Sequence, residues 1–515
     1  MAALLSDDDR AFATVVSKLG YCNPFLPERI ELEREALGDA FVPGDAVWSK
    51  RDDLAQDEPN VTGILLRLDP LLERLREKIA KGARPSGDDR LLYEDLVLFH
   101  LFHQRQADFR DAIVGPPQRK TDRGPLPFYR RFLLDWQRFF GRGEAAGQGL
   151  SGGSGMAPQL AFAFFFQIRR AFHHIFDYVI GESMPAARLR AAVWQSIFTH
   201  NMRRYRRALY HRMADATCLI LGPSGTGKEL VARAIGLSQF IPFDPKTEKF
   251  ATDFAAAFYA LSISALSPTL IESELFGHRR GAFTGAVQDR AGWLEVCPPL
   301  GAVFLDEIAE IDGAIQVKLL RVLQTRAFQR LGETKDRVFH GKLIAATNRD
   351  LAGEMRAGRF REDLYYRLCS DVIVTPALRD QLRDSQDALP NLIRHTAQRL
   401  AGPEEAEALT REALAWIEAQ LGPDYPWPGN VRELEQCVRN VMIHKAYHPV
   451  RPVAADAAQD LAEAFRSGAL TADELLRRYC GLVYAQTRSY QETARRLGLD
   501  RRTVKAKIAA LQDGG

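Results

Sequence analysis

Two rhythms of apolar and polar positions divide the chain. Through residue 175 the apolar residues recur every three or four positions, most clearly in "LLYEDLVLFHLFHQRQADF" and "LAFAFFFQIRRAFHHIFDYVI", which predicts a mostly α-helical region. From about residue 176 the texture becomes short apolar runs alternating with helical pieces. "TCLIL" ends at Leu221, "AVFLDE" at Glu307 and "KLIAATN" at Asn348. Brief β-type runs that close on polar or glycine residues predict a parallel sheet whose strand ends carry the site, hence an α/β core. "GRGEAAGQGLSGGSG" (141–155) and "HPVRPVAADAAQD" near residue 450 read as linkers. The last 45 residues are helical and basic.

The composition supports a globular chain of several domains. At 515 residues, with 46% hydrophobic and 26% charged positions, three or four domains are expected. The net charge of +3 supplies no global polybasic field, so any nucleic-acid contact requires a local patch. Six scattered cysteines without a C-x-x-C pair fit reduced thiols rather than a disulfide frame or zinc site. His100, His103, His173 and His174 lack a matching acidic or cysteine cluster and read as packed or surface residues. The acidic start "MAALLSDDDR" is not a signal peptide, and "LAFAFFF" is too short to span a bilayer; the expected location is the cytoplasm.

The clearest chemistry lies in Gly222, Pro223, Ser224, Gly225, Thr226, Gly227, Lys228 and Glu229, a G-x-x-x-x-G-K phosphate loop between a strand and the helix "ELVARAIGL". Its glycines let backbone N–H groups turn onto phosphate oxygens, Lys228 adds charge, and the helix N-terminus faces the same point. About eighty residues on, "AVFLDEIAEI" sets Asp306 and Glu307 at a strand end, suited to holding Mg2+ through water and to polarising an attacking water. Asn348 ends the next strand and is placed to position that water. Arg361 and Arg367 in "FREDLYYRL" are surface arginines that, in a ring of subunits, reach a neighbour's γ-phosphate.

"ESELFGHRRGAFTGAVQDR" (272–290) is harder to explain by packing, because Phe283 and Thr284 stand among small residues and read as a mobile tip. With "VIGESMPAARLR", "GPSGTGKELVARAI", "FLDEIAEI", "LLRVLQ", "ATNRDL", "FREDLYYRL" and "WPGNVRELE", it makes the chain from about Val179 to Tyr447 resemble the AAA+ domain of bacterial enhancer-binding proteins, the activators of sigma-54 RNA polymerase. That resemblance implies a loop formed by Gly281, Ala282, Phe283, Thr284, Gly285 and Ala286 that grips the sigma factor, with Phe283 as an exposed aromatic. It implies ATP and Mg2+ as cofactors, Arg361 and Arg367 acting in trans, Arg432 as the lid arginine sensing nucleotide, and Ile180 and Gly181 beside the adenine. A homo-oligomeric ring, hexameric in the family, and no membrane partner follow from the same likeness.

Departures from the family pattern are equally legible. Ser262 stands where the family carries an asparagine that restrains the catalytic glutamate, and Glu229 replaces the general Ser/Thr, as it often does in this family. A basic insert "RRYRRALYHR" (203–212) lengthens the approach to the phosphate loop, the segment from Gln239 to Phe254 is longer than usual, and Arg279 and Arg280 follow "FGH". Residues 1–175 lack the order of a phosphoreceiver and match no nameable domain.

At the C-terminus, "TADELLRRYCGLVYAQT" predicts a helix with Leu475, Leu476, Tyr479, Leu482 and Val483 on its core face. "SYQETARRLGLDRRTVKAKIAAL" reads helix, turn at Gly498, helix, with Val504, Ile508 and Leu511 inward and Arg501, Arg502, Thr503, Lys505 and Lys507 outward. Six Lys/Arg against two acids from Tyr490 to Ala510 leave +4, the footprint of a helix-turn-helix for enhancer DNA. It resembles the Fis-type domain of the same family. The expected layout is 1–175 helical and regulatory, 176–378 AAA+ core, 379–450 helical lid, 451–468 linker and 469–515 helix-turn-helix. The expected function is ATP-driven remodelling of the sigma-54 RNA polymerase holoenzyme from enhancer DNA. A AAA+ remodeller of another protein, or a DNA-binding regulator using ATP mainly to assemble, remain alternatives at this stage.

Overall fold

The computed structural model describes residues 4–44, 59–83, 85–114, 125–141, 156–252, 257–449, 461, 464–465, 468 and 470–512. Both segments read as linkers fall almost wholly outside these residues. The chain forms two compact units, Met1–Ile443 and His444–Gly515.

The N-terminal region is helical, as its periodicity predicts. Its helices are Asp7–Leu19, Glu28–Leu37, Pro59–Ala80, Gly87–Gln104, Gln106–Val114 and Phe128–Phe140, followed by Pro158–Tyr178 and Met184–Phe198. Ser6 and Ser86 cap two of them by accepting the backbone N–H groups of Asp9 and Asp89, each at 3.2 Å. Pro158–Tyr178 is buried nearly all round: Ala161, Phe162, Ala163, Phe164, Phe165 and Phe166 are all in the core. A helix apolar on every side has to be enclosed by others, and rings of Phe109, Phe128, Tyr129, Phe132 and Phe243 surround Phe162. The boundary expected at residue 175 falls inside this helix.

Five parallel strands follow: β1 (Cys218–Leu221), β2 (Phe258–Ser262), β3 (Ala302–Asp306), β4 (Lys342–Thr347) and β5 (Asp371–Val374). Their order is β5-β1-β4-β3-β2. The strands read as unbroken apolar runs because both faces are covered. Cys218, Ile220, Phe304, Ile344 and Ala346 face a core that passes through the helix Lys228–Gly236 and back to Leu4. Leu219, Val303, Leu305, Leu343 and Ala345 face a second core against Pro268–Phe276, Gly313–Thr325 and Glu362–Leu368.

Both inserts noted in the sequence are docking elements. In the basic insert, Arg203 pairs with Asp95 and Arg206 with Glu94 (3.1 Å), while buried Tyr205 exchanges hydrogen bonds with Gln167 at 2.7 and 2.9 Å. The longer segment after the phosphate-loop helix forms a small hairpin, Phe243–Asp244 with Lys249–Phe250. Phe250 stacks on Phe166 at 4.2 Å, Arg130 pairs with Glu248 at 2.6 Å, and the Leu126 N–H donates to the Glu248 carbonyl. Gln167 Nε2 and Arg170 Nη2 donate to the carbonyls of Ser238 and Gln239, just past the phosphate-loop helix. These hydrogen bonds offset the cost of burying Gln167 and the Arg170 Nη2 in so apolar a helix.

Helices Leu378–Asp384, Ala388–Ala401, Pro403–Gln420 and Asn430–His444 complete the first unit. No helix among the described residues is long and apolar enough to cross a membrane. The second unit holds Ala472–Thr487, Tyr490–Leu497 and Arg501–Gln512 around Cys480, Ala494, Val504 and Ile508. Its first helix presents Leu476, Cys480 and Tyr484 to this core; of the expected face, Val483 is also buried, whereas Tyr479 is 47% exposed. Cys480 packs as a small apolar residue, so counting it with the hydrophobes turns the stripe. Leu511, expected inward, is 37% exposed at the helix end.

Candidate nucleotide site

The loop from Gly222 to Gly227 joins β1 to the helix Lys228–Gly236, with positive φ at Gly222 (150°), Gly225 (77°) and Gly227 (85°). A Cβ at Gly222 would lie 2.1 Å from the Thr375 hydroxyl oxygen, and one at Gly225 2.2 Å from the Gly429 carbonyl oxygen. Glycine is required here both for the turn and for close approach of the neighbouring backbone. Lys228 Nζ donates to the carbonyls of Gly222 and Pro223, each at 3.1 Å. Burial draws its pKa below the ordinary lysine range, against the opposing pull of Glu307 and Asp306.

Asp306 and Glu307 close β3 opposite this lysine. Burial, and then the neighbouring Glu307, push the Asp306 carboxyl above its usual range, with Lys228 counteracting. Glu307 occupies the left-handed region at φ 57°, ψ 50°, a conformation costing about 1–3 kcal/mol for a residue with a Cβ. Its carboxylate accepts from the Thr347 hydroxyl at 3.4 Å and the Asn348 backbone N–H at 3.3 Å. Asn348 therefore touches the glutamate through its backbone, whereas the sequence pointed to its side chain, which is exposed. The Ser262 hydroxyl lies 3.5 Å from that of Ser264, and Glu307 is held from β4 instead.

A cavity of about 580 Å3 lies between these groups and the lid. Ile180, Ser224, Gly225, Thr226, Gly227, Lys228, Glu229, Asp306, Glu307 and Arg432 line it; Gly181, Gly222 and Pro223 do not. Gly181 instead shapes the backbone, accepting from Arg190 at 2.8 Å. The lid binds the loop directly. The Arg432 N–H donates to the Gly225 carbonyl at 3.3 Å, and Asn430 Nδ2 to the Ser224 carbonyl at 2.9 Å, while Asn430 Oδ1 accepts from the Leu378 N–H. Thr375, at the end of β5, pairs hydroxyls with Thr226 at 2.6 Å. The sequence reading missed Thr347, Thr375 and Asn430. Asn430 was discoverable, since it sits in the quoted "WPGN" segment.

The donor set fits a phosphate-bound Mg2+. Among the described residues no cluster of three or more His, Cys, Asp or Glu could hold a metal alone. Mg2+ is commonly held by one or two carboxylates, with phosphate oxygens and water completing its shell, and the crowded Asp306–Glu307 pair gains from a nearby cation. Arg361 and Arg367 are exposed and do not line the cavity; Arg361 pairs with Asp363 at 2.7 Å.

Gly281 to Ala286 cap a hairpin whose stem pairs Gly277–His278 with Arg290–Ala291. The tip is tied by Gly281 N–H to the Ala286 carbonyl (2.8 Å) and Ala286 N–H to the Phe283 carbonyl (3.0 Å). Below it, Arg279 pairs with Asp289, which also accepts the Arg280 N–H at 2.8 Å. Thr284 is exposed, but Phe283 is half-buried, its ring edge-on to His278 at 5.0 Å. The expected exposed aromatic thus leans on its own stem, because the His278 ring, anchored to Ser273 at 2.7 Å, offers a surface the small neighbours lack. A second hairpin, Ala327–Phe328 with Arg337–Val338, lies alongside, with the Arg279 N–H donating to the Leu331 carbonyl.

In the second unit Gly498 (φ 64°) makes the turn between the last two helices. Arg501, Arg502, Thr503 and Lys505 are exposed. Lys507 is not freely outward: it is partly covered and paired with Asp473 across the bundle.

Residues 196–374 match the sigma-54 interaction domain family, and residues 383–468 match the AAA+ ATPase lid domain. The chain is 40% identical over 314 residues to the transcriptional regulatory protein ZraR of Klebsiella oxytoca, covering 58% of this chain and 64% of that protein. It is 42% identical over 229 residues to a Nif-specific regulatory protein of Enterobacter agglomerans, covering 44% and 40%. It is 41% identical over 231 residues to the sigma54-dependent transcriptional activator SfnR of Pseudomonas putida, covering 45% and 57%. The chain thus spans less than two thirds of the length of each of these relatives. Residues 196–374 of this chain therefore belong to the sigma-54 interaction domain family, and residues 383–468 to the AAA+ ATPase lid domain family.

Proposed function

We propose that the chain hydrolyses ATP and uses the cycle to remodel the closed complex of sigma-54 RNA polymerase, working as a ring anchored to enhancer DNA. The observation carrying this reading is the Asp306–Glu307 pair facing Lys228 across the cavity that also receives the lid's Arg432. The glycine loop and Lys228 hold the triphosphate, Ile180 lies against the base, and Arg432 registers the γ-phosphate. Mg2+, when bound near Asp306, neutralises phosphate charge. Glu307 orients the attacking water and accepts its proton. Arg361 and Arg367, idle within their own subunit, stabilise the transition state in the neighbour's site.

Coupling follows from position. β4 lies between β1, which leads into the phosphate loop, and β3, which ends at Asp306 and Glu307, and the hairpin bearing Phe283 and Thr284 springs from the same domain. A change in γ-phosphate contacts shifts how Thr347 and Asn348 hold Glu307, and the hairpin presents Thr284 and Phe283 to the sigma factor in one nucleotide state. The exposed residues Arg501, Arg502, Thr503 and Lys505 contact DNA, with the helix Arg501–Gln512 in the major groove; Lys507 serves the bundle first. The test is open-complex formation with sigma-54 holoenzyme, enhancer-bearing promoter DNA and ATP. A non-hydrolysable analogue should assemble the complex without opening DNA, and opening with the analogue, or none with ATP, would refute the reading.

A further inference from the structure

A second cavity, of about 220 Å3, lies between the N-terminal helices and the segments that lead into β1. Phe99, Phe102, Phe165, Phe172, Trp194 and Phe198 form most of an aromatic wall; Phe102 meets Phe165 at 5.6 Å and Phe172 meets Trp194 at 4.9 Å. Interiors are normally packed with few voids larger than a water molecule, and a dry apolar cavity of about 150 Å3 suffices to bind benzene. This one therefore has room for one or two aromatic rings with a substituent.

Among the described residues, two polar atoms on the same wall lack hydrogen-bond partners. Arg206 spends Nη2 on Glu94 at 3.1 Å, but its buried Nη1 has no hydrogen-bond partner, and neither has His103 Nδ1. Burial, then nearby Arg169, pulls His103 down to about 3, so the imidazole is neutral and its Nδ1 can donate or accept. A guanidinium N–H can only donate, so the missing partner is an acceptor oxygen. Buried polar groups are ordinarily satisfied, and an unmet donor on an aromatic cavity wall marks where a ligand's oxygen belongs.

We propose that this cavity binds a one- or two-ring aromatic compound bearing an acceptor oxygen, carboxylate or carbonyl, held between Arg206 and His103, and that its occupancy alters ATP turnover. The route is physical. Trp194 and Phe198 belong to the helix before the basic insert, and Tyr205, next to Arg206, pairs with Gln167, which reaches the Ser238 carbonyl beyond the phosphate-loop helix. A ligand that orders Arg206 therefore acts on a segment tied through Gln167 to the far end of the phosphate-loop helix.

The test uses the full chain with 2-naphthoate as probe and 2-methylnaphthalene as the acceptor-free control. Tryptophan fluorescence and melting temperature read binding whether or not the chain hydrolyses ATP, so failure here is distinguishable from failure of the function proposed above. 2-Naphthoate should quench saturably and raise the melting temperature, and the control should bind about tenfold more weakly. Trp194→Phe should remove the quench but keep the melting shift. Ala161→Phe, which fills the cavity, should abolish both while retaining stabilisation by ATP; if it melts early, Met202→Phe fills the space from the other wall. His103→Phe with Arg206→Lys should erase the preference for the acid. Absence of saturable binding up to about 1 mM, unchanged binding in the filled variants, or equal affinity for both probes in the wild type would overturn the site. Binding that leaves ATP turnover unchanged would overturn the coupling.

Discussion

Truncating Phe283 separates packing from contact with a partner. Removing a fully buried phenylalanine costs about 3–5 kcal/mol. Phe283 is half-buried, and its ring lies edge-on to that of His278 at 5.0 Å; an aromatic pair of this kind is worth about 0.5–1.5 kcal/mol beyond area burial. Phe283→Ala should therefore cost about 1–2 kcal/mol. Most of that loss is confined to a hairpin whose base is held independently by Asp289 and Leu331. At about 2–4 °C per kcal/mol for domains of 150–250 residues, and less for larger ones, the melting temperature should fall by only a few degrees. Calorimetry, ATP turnover and open-complex formation on one preparation decide the matter. The first two should stay near wild type while the third is lost, and Thr284→Ala should behave alike with no loss of stability, its side chain being exposed. His278→Ala should reproduce the small stability loss, and the double variant should show coupling between the rings. A Phe283→Ala protein that melts many degrees lower, yet activates transcription in proportion to its folded fraction, would refute the reasoning.

Glu307→Gln should bind ATP with near wild-type affinity and hydrolyse it at least a hundredfold more slowly, by about 10²–10⁴ for a lost general base; isothermal titration with single-turnover kinetics checks this. Asp306→Asn should raise the melting temperature of the nucleotide-free protein, because it removes a charge that burial and Glu307 both disfavour, while abolishing Mg2+-dependent hydrolysis; a lower melting temperature would count against that electrostatic account. Arg361→Ala should bind ATP but not hydrolyse it, and mixing it with Glu307→Gln subunits should restore some turnover, which inactivity in every mixture would disprove. Arg502→Ala should weaken enhancer binding by about 1–3 kcal/mol if it reads a base edge, with melting unchanged in a mobility-shift and calorimetry pair. Lys507→Ala should instead lower the stability of the C-terminal unit through the lost Asp473 pair.

Much of the site was legible because its chemistry is local in sequence. A phosphate loop needs its glycines and lysine in one short run between a strand and a helix, and a strand-end carboxylate pair announces itself by the apolar run before it. The helical and α/β rhythms followed from the same period rules, and so did the core positions Val504 and Ile508. Contacts between distant segments left no such trace. Nothing near Thr375 indicates that it closes on Thr226, and the grip of Thr347 and Asn348 on Glu307 depends on β3 and β4 being neighbours. The same holds for Phe283, whose ring settles on His278 only once the stem is paired. The two inserts were visible as extra length and charge, but their task as docks for the N-terminal helices is set by acids at Glu94 and Asp95 and rings at Phe162 and Phe166, up to about a hundred residues away. Sequence alone determined the elements and the residues of the phosphate-loop motif, since both rest on short-range spacing. Tertiary structure alone decided which groups meet across the sheet, where the aromatic cavity lies and how the N-terminal helices join the ATPase core, because those depend on long-range packing that no local pattern encodes.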